Sequence, residues 1–313
     1  MALFQAMEGI FTILFIISIG YYLTKIGWVN SEVSAFIPKL LTYVALPSLL
    51  FWNTTSILSK EQLFSLMYGL SIPSIAIFLN LMISVFLSSV LNLPSGRIGI
   101  FRAVCFSSNV LQIGIPVSLA FFGQAAVPYA LLYYLINTLF FWTTGNYFIA
   151  RDGKGEMSEA KLFSASSIKN IFSPPLLALI VALAVLLFNI PIAGFFMNTL
   201  RYLSNMTTPL ALIFIGAVIF GIKLKNIRFS RDIFAALIMR FIISPSLILL
   251  AAYFIPIPEM MKKVFVIQSA VPSMIQVTIL AKFYGADTEY AATLTALTII
   301  FSVIFIPFYI AIV

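Results

Sequence analysis

AVCFSSNVLQIGIPVSLAFFGQAAVPYALLYYLINTLFFWTTGNYFIA, residues 103–150, contains no Asp, Glu, Lys or Arg. A helix that crosses a bilayer needs about 20 mostly apolar residues, and this run is more than twice that long. Gly123-Gln124 and Pro128 interrupt it, so it reads as two spans joined by a turn. Charge-free runs recur on both sides. Residues 9–24, 40–59 (with Pro47 mid-way) and 62–96, closing on the turn Pro94-Ser95-Gly96, precede it. Runs at 174–191, 202–222, 241–258, 264–281 and 290–313 follow it. The reading is an all-α polytopic membrane protein of ten transmembrane helices.

Composition points the same way. Apolar residues make up 62% of the chain, charged residues 9%, and mean hydropathy is +1.09. A soluble domain carries roughly 25% charged residues, so this surface faces lipid. No polar stretch is long enough to fold as a separate soluble domain. The net charge of +8 is scattered over short loops, which reads as topology and not as a nucleic-acid footprint. There is no His, and Cys105 is the only cysteine, which excludes disulfides within the chain and Cys/His metal sites. Cys105 lies in an apolar span and reads as a buried hydrophobe. Residues 1–9 lack the basic region of a cleaved signal peptide, so the first span is expected to be retained.

The eighteen Lys and Arg residues set the orientation. Lys60, Arg201, Lys262 and Lys263 fall on one side; the other fourteen, with Arg240 assigned to a loop-side helix end, fall after odd-numbered spans. This imbalance predicts external termini and a cytoplasmic linker at residues 151–169.

Five spans, a linker and five spans suggest an inverted repeat, with residues 1–150 as the first repeat and 170–313 as the second. Landmarks recur in order. Proline interrupts the second span of each half (Pro47, Pro209), the third (Pro73, Pro245) and the fourth (Pro116, Pro272). The fourth and ninth spans carry the polar groups. Asn109, Gln112, Gly114 and Pro116 lie in one, and Pro272, Ser273 and Gln276 in the other. Proline removes a backbone donor, so both helices are expected to unwind and cross, exposing polar backbone that protein or a wet cavity must satisfy. Half-helix N-termini there would suit a carboxylate. The bland alternative is two kinked helices whose polar groups glue neighbours together. Asn137, mid-way along span five, is a further candidate, while Tyr133-Tyr134 and Trp142 need no special role. No Asp or Glu lies mid-span, so a buried-acid proton relay is not expected; sodium held by hydroxyls, amides and carbonyls stays open.

The ordered motifs resemble the auxin efflux carrier family, the group containing plant auxin carriers and bacterial malate or malonate permeases. They are Gly20-Tyr21-Tyr22-Leu23 with Lys25-Ile26-Gly27-Trp28, Tyr43 to Pro47-Ser48-Leu49-Leu50, Asn109 to Gly114-Ile115-Pro116-Val117 with Gly123, Pro272 with Tyr284-Gly285-Ala286, and 302–307. The resemblance implies a ten-helix 5+5 inverted repeat with broken, crossed fourth and ninth helices, as in sodium/proton antiporters and bile-acid symporters. It implies transport of a small organic anion across the plasma (inner) membrane, and binding residues at Asn109, Asn137 and the turns at Pro116 and Pro272. No cofactor, enzymatic activity or nucleic-acid partner is expected. A carboxylate substrate, lipid, a coupling sodium or proton and a second copy of the chain are the admissible partners. A sodium-coupled symporter of the bile-acid type and a non-transporting membrane sensor are the rival readings; the short linker argues against the sensor.

Overall fold

The computed structural model describes residues 2–57, 59–60, 66–153, 172–221 and 229–313. Among the described residues all regular structure is helical, and seven helices are long and apolar enough to cross a membrane. They are Ser31–Ser56, Met67–Val90, Ile98–Phe122, Gln124–Asp152, Gly194–Gly221, Arg231–Phe254 and Thr288–Ile312. Leu14–Lys25 and Pro174–Phe188 are shorter apolar helices. Most of the expected linker, 154–169, and the basic residues Lys223, Lys225 and Arg228 lie outside the described residues.

The chain forms two compact units, and each draws on both halves of the sequence. The first comprises residues 1–68, 111–132 and 172–222. Within it the helix Ala2–Lys25 packs along Thr207–Gly221. Gly20 and Gly216 bring the two backbones together: a side chain at Gly20 would collide with the backbone of Ile213, and one at Gly216 with that of Ile17. Lipid supplies no hydrophobic force between helices, so close backbone approach through small residues is what holds such pairs. The helix Leu46–Ile57 packs against Pro174–Phe188 and Gly194–Asn205 in the same unit.

The second unit comprises residues 69–110, 133–171 and 223–313. Its core gathers Phe101, Val104, Ile149, Met239, Phe241, Val277 and Leu294, all nearly inaccessible to solvent. Ser71–Val90 packs on Ile98–Phe106 and on Ser244–Phe254.

Prolines leave a local signature. Wide π-helical turns at Leu41–Ala45, Val110–Gly114 and Met239–Ile243 each run directly into a helix whose second residue is proline: Pro47, Pro116 and Pro245. A proline ring clashes with the carbonyl four residues earlier, and widening the preceding turn moves that carbonyl aside. For Pro245 that carbonyl belongs to Phe241, and the Tyr309 hydroxyl donates to it at 2.6 Å.

Two helices are broken outright. Ile98–Phe106 ends at Ser107, whose φ/ψ of −88°/138° is extended, and helical geometry resumes at Val110. Glu259–Ala270 ends at Val271 (φ/ψ −72°/159°), and the next helix is Gln276–Tyr284. The second break brackets Pro272 as expected. The first lies ahead of Pro116, which follows directly on the widened turn Val110–Gly114 and so does not itself mark the break.

One expectation fails. The span expected to begin at residue 241 begins at Arg231, so Arg240 is no loop-side cation: it lies inside the segment Arg231–Phe254 and is 0% exposed.

Candidate functional site

The two chain breaks meet in the second unit. The Asn109 N–H donates to the Pro272 carbonyl at 2.8 Å, so backbone groups released by one helix are taken up by the other. This is the internal satisfaction that unwound backbone requires at membrane depth. Ser107, Ser108 and Asn109 on one break and Ser273 on the other are all buried.

Side chains from neighbouring helices complete the arrangement. Asn137, on the helix Val127–Phe140, accepts from the Ser108 N–H at 2.8 Å and donates back to the Ser108 carbonyl at 2.9 Å. One amide thus supplies the acceptor that the Ser108 N–H loses at the break and shares the Ser108 carbonyl with the Val110 N–H, which donates to it at 2.9 Å. Its Nδ2 also lies 3.7 Å from the Met274 sulfur. Ser273 is held by Thr298, whose hydroxyl accepts from the Ser273 N–H at 3.2 Å and lies 3.1 Å from the Ser273 hydroxyl.

Arg240 joins the two breaks. Its Nε donates to the Val271 carbonyl at 2.8 Å, and its Nη2 donates to the Ser108 hydroxyl. That hydroxyl lies 3.4 Å from the hydroxyl of Tyr133, another fully buried residue. Nη1 is buried and has no hydrogen-bond partner among the described residues. The two ion pairs found among the described residues, Arg97–Asp287 and Glu259–Lys262, do not involve Arg240.

Of the residues picked out in the sequence, Asn109, Asn137, Pro272 and Ser273 come together here. Gln276 opens the helix after the second break, and its Oε1 is buried without a hydrogen-bond partner among the described residues. Gln112, Gly114 and Pro116 fall in the first unit, where the Pro116 carbonyl accepts from Thr208 Oγ1 at 3.4 Å. Arg240 and Tyr133 are site residues that the sequence does not single out. Arg240 borders the charge-free run 241–258, where a cation has the pattern of a loop charge, but the helix extends back to Arg231 and makes it mid-span.

Elsewhere in the second unit, Arg97 Nε pairs with Asp287 Oδ2 at 2.6 Å, and Asp287 caps the helix Thr288–Ile312 by accepting from the Tyr290 N–H at 3.0 Å. Burial opposes the charged form of Asp287, but the Tyr290 N–H and the Arg97 guanidinium outweigh it and hold the carboxyl below the usual carboxylate range.

A multi-pass helical membrane protein with two interrupted helices, joined through buried amides, hydroxyls and a guanidinium, is built as membrane transport proteins are built. Over residues 5–310 the chain matches the family described as membrane transport protein, and it belongs to that family, the auxin efflux carrier family. An uncharacterized transporter of Methanocaldococcus jannaschii is 25% identical to it, with 96% of each chain covered. Another uncharacterized transporter, from Methanothermobacter thermautotrophicus, is 24% identical over 96% of each chain.

Proposed function

We propose that the protein is a secondary transporter that moves a small carboxylate across the plasma membrane by alternating access, with the substrate held where the two chain breaks meet. The observation that carries this reading is the bond from the Asn109 N–H to the Pro272 carbonyl, which pins two interrupted helices together beside buried, uncharged donors. Discontinuous helices that meet in this way are the usual substrate and ion sites of transporters. Asn109, Ser273 and Gln276 supply amide and hydroxyl groups there, and Asn137 and Thr298 position the backbone.

The ten-helix reading draws support from the helices themselves. Seven long spans, the shorter helices Leu14–Lys25 and Pro174–Phe188, and the broken pair Glu259–Ala270 and Gln276–Tyr284 overlap the ten expected spans one for one. Residues 1–150 and 170–313 then form the two inverted repeats, with both termini external.

A thermal-shift screen of the purified protein tests this function. Acetate, malonate, malate, citrate and indole-3-acetate are added with and without sodium. At least one carboxylate is expected to raise the melting temperature in a saturable way. Sodium dependence of that rise would point to the bile-acid symporter mechanism, and no shift from any carboxylate would contradict the reading.

A further inference from the structure

Arg240 sits nine residues into the 24-residue segment Arg231–Phe254, about 14 Å along the helix axis from its start. That is close to half the hydrocarbon thickness, where an ionisable side chain is expensive and its presence is a functional hypothesis by default. A buried charge is tolerated when it is paired, and removing the partner of such a charge is strongly destabilising. Arg240 has hydrogen bonds to the Val271 carbonyl and the Ser108 hydroxyl, both neutral groups. Neither ion pair among the described residues involves it, and both protons of Nη1 lack an acceptor among the described residues.

A purely structural tie between the breaks would need only neutral donors. Tyr133 and Cys105 lie beside the guanidinium but are ordinarily neutral groups that bring it no counter-charge. The positive charge, and the unused edge that carries it, are what a structural role leaves unexplained. A carboxylate is the acceptor whose geometry matches a guanidinium fork.

On the transport reading above, we propose that Arg240 is the anion anchor of the site: its Nη1 edge binds the substrate carboxylate, and the bound substrate neutralises the fixed charge. The protein therefore selects for a negatively charged group over its uncharged isostere. Ser108 and the Val271 carbonyl orient the guanidinium so that this edge stays available.

The test is isothermal titration of the tightest carboxylate of the panel and of its primary amide against wild type, Arg240→Lys and Arg240→Gln. Wild type is expected to bind the carboxylate at least about a hundredfold more tightly than the amide, since a charged hydrogen bond and a charge pair are lost together. Arg240→Lys keeps the charge but not the fork, so affinity falls about tenfold and the preference for the carboxylate persists. Arg240→Gln removes the charge, and the preference disappears. A structural arginine predicts instead an unchanged preference in whatever variant survives purification. Should Arg240→Gln fail to fold, Arg240→Lys decides by affinity: the anchor predicts the tenfold loss, and carboxylate affinity equal to wild type overturns it. Equal binding of carboxylate and amide by wild type, or a carboxylate preference retained by Arg240→Gln, overturns the anchor and leaves the transport reading standing. Failure of every carboxylate to bind wild type removes both.

Discussion

Asn137 bonds Ser108 through both ends of its amide, while Gln276 keeps a buried oxygen without a hydrogen-bond partner among the described residues, and the two should therefore respond differently to truncation. Asn137→Ala leaves the buried Ser108 N–H without its acceptor, at roughly 1–3 kcal/mol, and removes one of the two donors to the Ser108 carbonyl. It is expected to lower the detergent melting temperature sharply; a normal melt would show that the Ser108 bonds contribute little. Gln276→Ala is expected to leave the melting temperature near wild type, and both Asn109→Ala and Gln276→Ala are expected to weaken carboxylate binding about ten- to a hundredfold. Unchanged affinity in both would remove these side chains from the site. Asp287 gives a pH prediction. Its carboxyl is held below the usual range, so its contribution is present above the unfolded value of about 3.9 and is lost as pH falls through the lower folded value. Asp287→Asn should cost at most about 1 kcal/mol at pH 7, because the pair with Arg97 is partly exposed, and the difference should shrink as pH falls through the lowered folded value. The pH dependence of transport should be unaltered, and its loss in Asp287→Asn would reveal a proton relay. Polar residues were legible in the sequence because an Asn or Gln stands out in an apolar run. Arg240 was not, because a cation at the apparent edge of such a run is indistinguishable from a loop charge until the helix start is known.

The breaks, turns and close helix contacts are properties of elements, and prolines announced them unevenly. Pro272 marked its break, but the break at residues 107–109 lies ahead of Pro116, because widening the turn Val110–Gly114 is enough to accommodate that proline. Nothing in the composition of Ser107-Ser108-Asn109 indicates where the chain becomes extended; Asn137, a tertiary partner, stabilises it there. The Tyr309 bond to the Phe241 carbonyl compensates the donor missing at Pro245. Tyr309→Phe should therefore destabilise by roughly 1 kcal/mol in the native background. In a Pro245→Ala background the restored N–H competes for that carbonyl, and the cost should shrink. A cycle of the four proteins by detergent unfolding checks this, and an equal cost in both backgrounds would separate the tyrosine from the proline. Gly20, part of the Gly20-Tyr21-Tyr22-Leu23 motif, lies against the Ile213 backbone, which explains the glycine physically. Gly216→Leu at the same contact should sharply reduce the yield of monodisperse protein, whereas a neutral outcome would mean that the two helices can separate without loss.

For the molecule as a whole, the membrane class and its helical nature were readable from hydropathy alone, since lipid leaves helices as the simplest way to satisfy a backbone. The grouping of segments into two compact units was not, because each unit combines stretches from both halves of the chain. Moving Arg240 out of the loop tally leaves thirteen cations against four, so external termini remain the expected orientation. In a Cys105→Ala background, Ser230→Cys should label with an impermeant thiol reagent from the cytoplasmic side and Ala125→Cys from outside; the reverse would invert the topology. Function rests on flux. The most direct measurement is uptake of the radiolabelled carboxylate selected by the thermal-shift screen into liposomes containing purified protein. The account predicts saturable uptake above protein-free liposomes, retained in Asp287→Asn and abolished in Arg240→Gln; uptake by wild-type liposomes no greater than by protein-free ones would contradict it.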